Sequence, residues 1–125
     1  MTKKLKEACC GSNNVCITGA PLTTVVNALS PYIDDDVKFA IYDGRCVEVL
    51  SEQYPGPAVL IIPEQYAERV RLLVDLEKND FHLWILREHA SKSDVEAFSK
   101  FCNYHIKFVE DRIVGIVARK CGDVN

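Results

Sequence analysis

Five consecutive apolar residues, Ala58-Val59-Leu60-Ile61-Ile62, set the tightest limit on what this chain can fold into. A strand that alternates apolar and polar positions can leave one face in water. An unbroken one needs cover on both faces, as in a parallel sheet flanked by helices. No longer apolar run occurs in the chain, and a membrane-spanning helix needs roughly 20 such residues. Pro63 follows in a position that suits the first turn of a helix. Tyr66, Val70, Leu73 and Val74 then share one face, while Glu68, Arg69, Arg71 and Asp75 lie mostly elsewhere. Asn79-Asp80 stops that helix, and Phe81-His82-Leu83-Trp84-Ile85-Leu86 reads as another buried strand.

The same plan occurs earlier in the chain. Val15-Cys16-Ile17-Thr18 is a short buried strand broken by Gly19-Ala20-Pro21. Leu22, Val25, Val26 and Leu29 recur at three and four, which puts an apolar stripe on a short helix. Pro31 and the run Asp34-Asp35-Asp36 end it, and Val37, Phe39 and Ile41 alternate in the strand that follows. Residues 15–43 and 59–88 therefore echo one another. Between them, Arg45 to Leu50 also alternates, and with Asp43-Gly44 ahead of it predicts a β-hairpin. Ser93 and Glu96 form a capping box for a third helix that turns Val95, Phe98 and Cys102 inward. Ile106 to Val109 and Ile113 to Ala118 close the chain as strands around a turn at Glu110-Asp111. The expectation is a single-domain α/β sandwich over residues 15–118, with a mixed, mostly parallel sheet, about three helices and one or two β-hairpins. A polar arm (1–14) and a tail (119–125) would flank it.

Composition agrees with one core: the chain has 125 residues, 48% of them hydrophobic, and a formal net charge of −3. Mild acidity excludes a domain whose whole surface binds nucleic acid but leaves room for a local basic patch. The start, with Lys3, Lys4 and Lys6, lacks the apolar stretch of a secretory signal. The expected location is thus the cytoplasm, or the host cytoplasm for a viral chain, with no membrane partner. Cys9, Cys10, Cys16, Cys46, Cys102 and Cys121 fit no zinc or iron–sulfur spacing, and His82, His89 and His105 are too dispersed for a metal site. No metal or cofactor is expected. Intracellular chains rich in cysteine have a precedent in hyperthermophilic archaea, and by extension their viruses, where disulfides are common. All six cysteines are therefore disulfide candidates; the alternative is a small buried hydrophobe, which suits Cys16 and Cys102 best.

Two places can carry chemistry. The carboxyl ends of the expected parallel strands are Thr18-Gly19-Ala20, Pro63-Glu64 and Arg87-Glu88-His89, and ligands favour the crevice outside such ends. Gly19, Thr23 and Thr24 beside a helix N-terminus, with His89 on the rim, are candidate contacts for an anion. Glu64 and Glu88 at the same rim would oppose one. The second place runs from Asn103 to Gly115, where His105-Ile106-Lys107 precedes Asp111 and an apolar hairpin strand. This pattern resembles the signature of the phospholipase D-like superfamily. The resemblance implies that His105 attacks phosphorus, that Lys107 binds phosphate oxygens, and that a chain with one motif completes its site by dimerising.

Three residues separate Lys107 from Asp111 where the family has four, and Val117 to Cys121 stands in place of its Gly-Ser-x-Asn. At the earlier echo, Asp36 occupies the histidine's place before Lys38. Catalytically inactive versions of this fold serve as sensor or oligomerisation modules. The sequence thus predicts a non-catalytic binding or oligomerisation module, a homo-oligomer (a dimer), with nucleic acid or a phosphate-containing compound as ligand. The competing expectation is a homodimeric, metal-independent phosphodiesterase or nuclease using His105 and Lys107.

Overall fold

The computed structural model describes residues 2–89 and 101–118. In chain order the elements are α1 (Thr2–Ala8), β1 (Val15–Thr18), α2 (Leu22–Leu29), β2 (Phe39–Ile41), α3 (Val47–Gln53), β3 (Ala58–Ile62), α4 (Val70–Lys78), β4 (Phe81–Arg87), β5 (Tyr104–Val109) and β6 (Arg112–Ala118). Short 3-10 segments at Ser30–Tyr32 and Glu64–Tyr66 follow α2 and precede α4. The strands make one sheet in the order β2-β3-β4-β1-β5-β6. Every neighbouring pair is parallel except β5–β6, so the sheet is mixed and mostly parallel, as the sequence predicts.

Side-chain alternation divides the buried residues into two layers. Val15, Ile17, Val59, Ile61, Trp84, Leu86, Ile106 and Phe108 face one side, where α1 and α2 contribute Leu5, Ala8, Val25 and Leu29. Cys16, Leu60, Ile62, Leu83 and Ile85 face the other, against Leu50 of α3 and Leu73 and Leu76 of α4. All five residues of β3 are buried, because helices cover both faces. The crossover from β1 to β2 runs to the sheet edge with α2 on the first face. The steps from β2 to β3 and β4 return with α3 and α4 on the second face. A constant crossover hand requires that reversal of face when the direction reverses. The two echoing segments consequently differ in space: β3 and β4 are neighbours, whereas β3 and β4 separate β1 from β2.

Four expectations need correction. Arg45 to Leu50 is not the second arm of a hairpin, since Val47–Gln53 is helical from an N-cap at Cys46. Val47, Leu50 and Tyr54 recur at three and four and pack on the second-face core, and this helical period overrides the two-residue alternation. Residues 2–14 are not a loose polar arm. Leu5, Ala8 and Cys9 fall on one face of α1 and its end and are buried in the core. Val70 is 65% exposed rather than inward, because α4 begins only there and its buried residues are Leu73 and Leu76. Finally, no disulfide joins the five described cysteines. Cys9 lies in the first-face core, Cys16 and Cys102 in the second, and Cys10 and Cys46 at the surface. The small-hydrophobe alternative holds for the three buried ones. Cys121 and the capping box at Ser93 lie outside the described residues.

The β5–β6 hairpin forms where expected. Glu110 and Asp111 both take left-handed backbone, φ 49° and 63°, in a two-residue turn between the paired Val109 and Arg112. At the opposite end of the sheet, Asn14 joins three elements. Its Oδ1 accepts from the Leu83 backbone N–H (2.9 Å) and its Nδ2 donates to Glu77 Oε2 (3.0 Å). Its own N–H donates to Asn103 Oδ1 (3.0 Å), and its carbonyl accepts from Asn103 N–H (2.8 Å).

Candidate functional site

Because β2, β3, β4, β1 and β5 are all parallel, their carboxyl ends emerge at one end of the sheet. Two distinct environments meet there. On the α2 side, a crevice of about 280 Å³ is lined by Ala20, Pro21 and Leu22 from the start of α2, Leu86 from β4, and Glu64 and Glu88 among others. This is the crevice the sequence points to, and its charge is acidic. Its lining does not include Gly19, Thr23, Thr24 or His89. Gly19 turns the chain at φ +89°, and its N–H is directed at the Arg87 carbonyl (3.4 Å). Thr24 Oγ1 donates to Asp111 Oδ1 (3.3 Å), and Thr23 is exposed. His89 is exposed, with Nε2 3.6 Å from Glu88 Oε2 and its backbone N–H donating to Glu64 Oε1 (3.4 Å).

The opposite face of the same strand ends carries two cations, one of them paired with the Glu68 carboxylate. Lys107 of β5, Thr18 of β1 and Arg87 of β4 stand in one register across three adjacent strands. Ile106, Ile17 and Leu86 all belong to the first-face core, so alternation turns Lys107, Thr18 and Arg87 to the second face. His105, two residues before Lys107, shares that face, and its Nε2 lies 2.8 Å from Thr18 Oγ1. Thr18 and Arg87 are 7% and 8% exposed, His105 is half-buried and Lys107 is exposed. Arg87 Nη1 donates to Glu68 Oε1 (3.2 Å), whose side chain is mostly in solvent.

His105 and Lys107 are thus placed side by side, as strand spacing requires. What the sequence does not disclose is their company. Thr18 and Arg87 are both visible as strand-end residues, but nothing in the linear order says that β1 inserts between β4 and β5.

A second hollow, about 530 Å³, lies between the β2–α3 connection and α4, with Arg45, Cys46, Glu48 and Asp75 among its walls. Beside it, Tyr42 donates its hydroxyl to the Arg45 carbonyl (2.8 Å) and packs edge-on against Tyr66. Burial, and then the Tyr66 phenol, push the Tyr42 hydroxyl above its usual pKa. The charged groups on these walls carry both signs. Among the described residues, no group of three His, Cys, Asp or Glu side chains is set to hold a metal ion. No helix among them is long and apolar enough to cross a membrane. No family model, curated protein or solved structure matches the chain.

Proposed function

We propose that the protein is a non-catalytic binding module, a degenerate phospholipase D-like fold acting as a homodimer, whose ligand carries phosphate. The observation that supports this most is the second-face cluster at the carboxyl ends of β4, β1 and β5. There Lys107 and Arg87 flank the Thr18 hydroxyl in register, and His105 stands against it. Ammonium, guanidinium and hydroxyl groups are the donor types that hold phosphate oxygens. Glu64 and Glu88 line the crevice on the other face, so the second face, where Lys107 is exposed, is the one that favours an anion. The bond between His105 Nε2 and Thr18 favours binding over turnover, because it engages the nitrogen that a histidine nucleophile would use.

One feature supports the alternative of a phosphodiesterase using His105 and Lys107: both side chains leave the same face of β5. Two measurements separate the readings. Calorimetric titration with inorganic phosphate should show binding that weakens at least tenfold in Lys107→Ala, and incubation with bis(p-nitrophenyl) phosphate without metal should release no nitrophenol. Nitrophenol release that disappears in His105→Ala would replace the binding module with the enzyme. Undetectable phosphate binding together with no turnover would remove both.

A further inference from the structure

We infer that the crevice on the α2 side, at the carboxyl ends of β3, β4 and β1, is a separate binding site for a small organic cation, a protonated amine on a compact apolar body. The inference is independent of the phosphate reading, since the lining includes none of Thr18, Arg87, His105 and Lys107. The crevice has a topological cause. β4 lies between β3 and β1 in the sheet. The chain leaving β1 turns over the first face into α2, whereas the chain leaving β3 turns over the second face into α4. Connections that part in this way leave a gap at the end of the strand between them, and open α/β sheets bind ligands in such gaps. Here the gap measures about 280 Å³. Pockets for drug-sized molecules run from roughly 300 to 1,000 Å³, so the occupant is small.

The lining sets the chemistry of that occupant. Ala20, Pro21, Leu22, Pro63 and Leu86 make the walls apolar, and the charged side chains are two carboxylates, Glu64 and Glu88. Among the described residues that line the crevice, none is Lys, Arg or His. Both carboxylates have acceptors to spare. Glu64 Oε1 takes the His89 backbone N–H at 3.4 Å, and Glu88 Oε2 stands 3.6 Å from the His89 ring, too far for a hydrogen bond. An ionised carboxylate offers about four lone-pair sites, and an ammonium brings three donors that two carboxylates can share. The Glu88 side chain is 38% exposed and Glu64 is half-buried, so water screens the attraction less than it screens a fully exposed pair. The apolar side chains offer no oxygen to a metal ion, but they cover the carbon body of an amine.

The test is NMR titration of the full chain with cyclohexylammonium chloride, cyclohexanol and sodium cyclohexanecarboxylate, three probes of one shape and different charge. It is repeated on the double variant Glu64→Gln/Glu88→Gln and on Glu52→Gln. The ammonium should bind at least tenfold tighter than the alcohol, and the carboxylate should bind weakest. Glutamine keeps an acceptor for the His89 N–H while removing the charge, so the double variant should melt like the parent and lose at least tenfold in affinity for the ammonium. Glu52, exposed on α3 and outside the crevice, controls for net charge, and Glu52→Gln should bind like the parent. Cyclohexanol binding as tightly as the ammonium would overturn the inference, because the carboxylates would then play no part. Equal losses in Glu52→Gln and the double variant would overturn it as an effect of net charge alone. Full binding by the double variant, or no binding of the ammonium by the parent, would sink it as well, and the comparison of the three probes on the parent needs no variant to fold.

Discussion

Gly19 offers a direct test of how β1 is held against β5. The residue sits at φ +89°, where any side chain is strained, and a Cβ built on it would lie 2.0 Å from the Phe108 carbonyl oxygen. An ordinary C···O contact is about 3.3–3.6 Å, so the end of β1 and β5 would have to part by about 1.3 Å to admit one methyl group. Left-handed backbone costs an alanine roughly 1–2 kcal/mol, and overpacking against rigid backbone adds about 1–3 kcal/mol. Gly19→Ala should therefore lose about 2–5 kcal/mol, a large part of the 5–15 kcal/mol typical of a domain. Gly56 is the internal control, since its φ is +96° and nothing lies within 4 Å of a Cβ there. Gly56→Ala carries the backbone cost alone, about 1–2 kcal/mol. Urea unfolding, followed through the fluorescence of the single tryptophan, fully buried Trp84, measures both. A Gly19→Ala variant within about 0.5 kcal/mol of Gly56→Ala would refute the reasoning, because the contact with Phe108 would then cost nothing.

The same unfolding assay checks two further expectations. Asn14→Ala leaves the buried Leu83 N–H without its acceptor and should cost about 2–3 kcal/mol, and a loss under 0.5 kcal/mol would mean that water replaces the amide. Burial, and then the neighbouring Cys10, push the Cys9 thiol up to about 12 from its ordinary 9.0. An unfolded Cys9 gives up its proton first as pH rises, so the stability this thiol contributes is whole below about pH 9 and is lost as pH climbs toward 12. Tyr42 and Tyr104, both raised mainly by burial, weaken the fold in the same alkaline direction. The readout is accordingly the difference between the parent and Cys9→Ala, which should shrink steadily above pH 9. A constant difference would contradict it.

What was legible in the sequence followed from burial pattern. The unbroken run from Ala58 to Ile62 and the stripe from Leu22 to Leu29 are consequences of covering both faces of a sheet, and each is found in place. The failures have the same physical root, in that short segments satisfy two periods at once. Val47 and Val49 suit a strand by alternation, but Val47, Leu50 and Tyr54 suit a helix, and only the core above β3 decides between them. Leu5, Ala8 and Cys9 carry a helical spacing too short to stand out among the lysines that surround it. The site was half legible for a different reason. His105 and Lys107 are two apart on one strand, so their common face is local information. Thr18 lies 87 residues from His105 in the chain, and that contact depends on which strands are neighbours.

Replacing the Asp43-Gly44 hairpin by α3 bears on function as well as on fold. A hairpin there would have set the following strand antiparallel to β2. The helix instead returns the chain so that β2 and β3 are parallel, and the carboxyl ends of five strands collect at one end of the sheet. Parallel alignment of β4, β1 and β5 is what places Arg87, Thr18 and Lys107 in one row, since an antiparallel β1 would carry Thr18 to the far end. Placing β1 between β4 and β5 also buries Thr18 and Arg87 and leaves Lys107 at the rim. Lys107, the exposed cation of that row, is the group that an incoming phosphate would meet while still in water. On the phosphate-binding reading, salt should therefore weaken capture through Lys107, because screening acts most on exposed charges. The affinity of the parent for inorganic phosphate should fall steeply between low and physiological ionic strength, and any residual affinity of Lys107→Ala should change little. Equal salt slopes for the two would show that Lys107 is not the group the anion meets first.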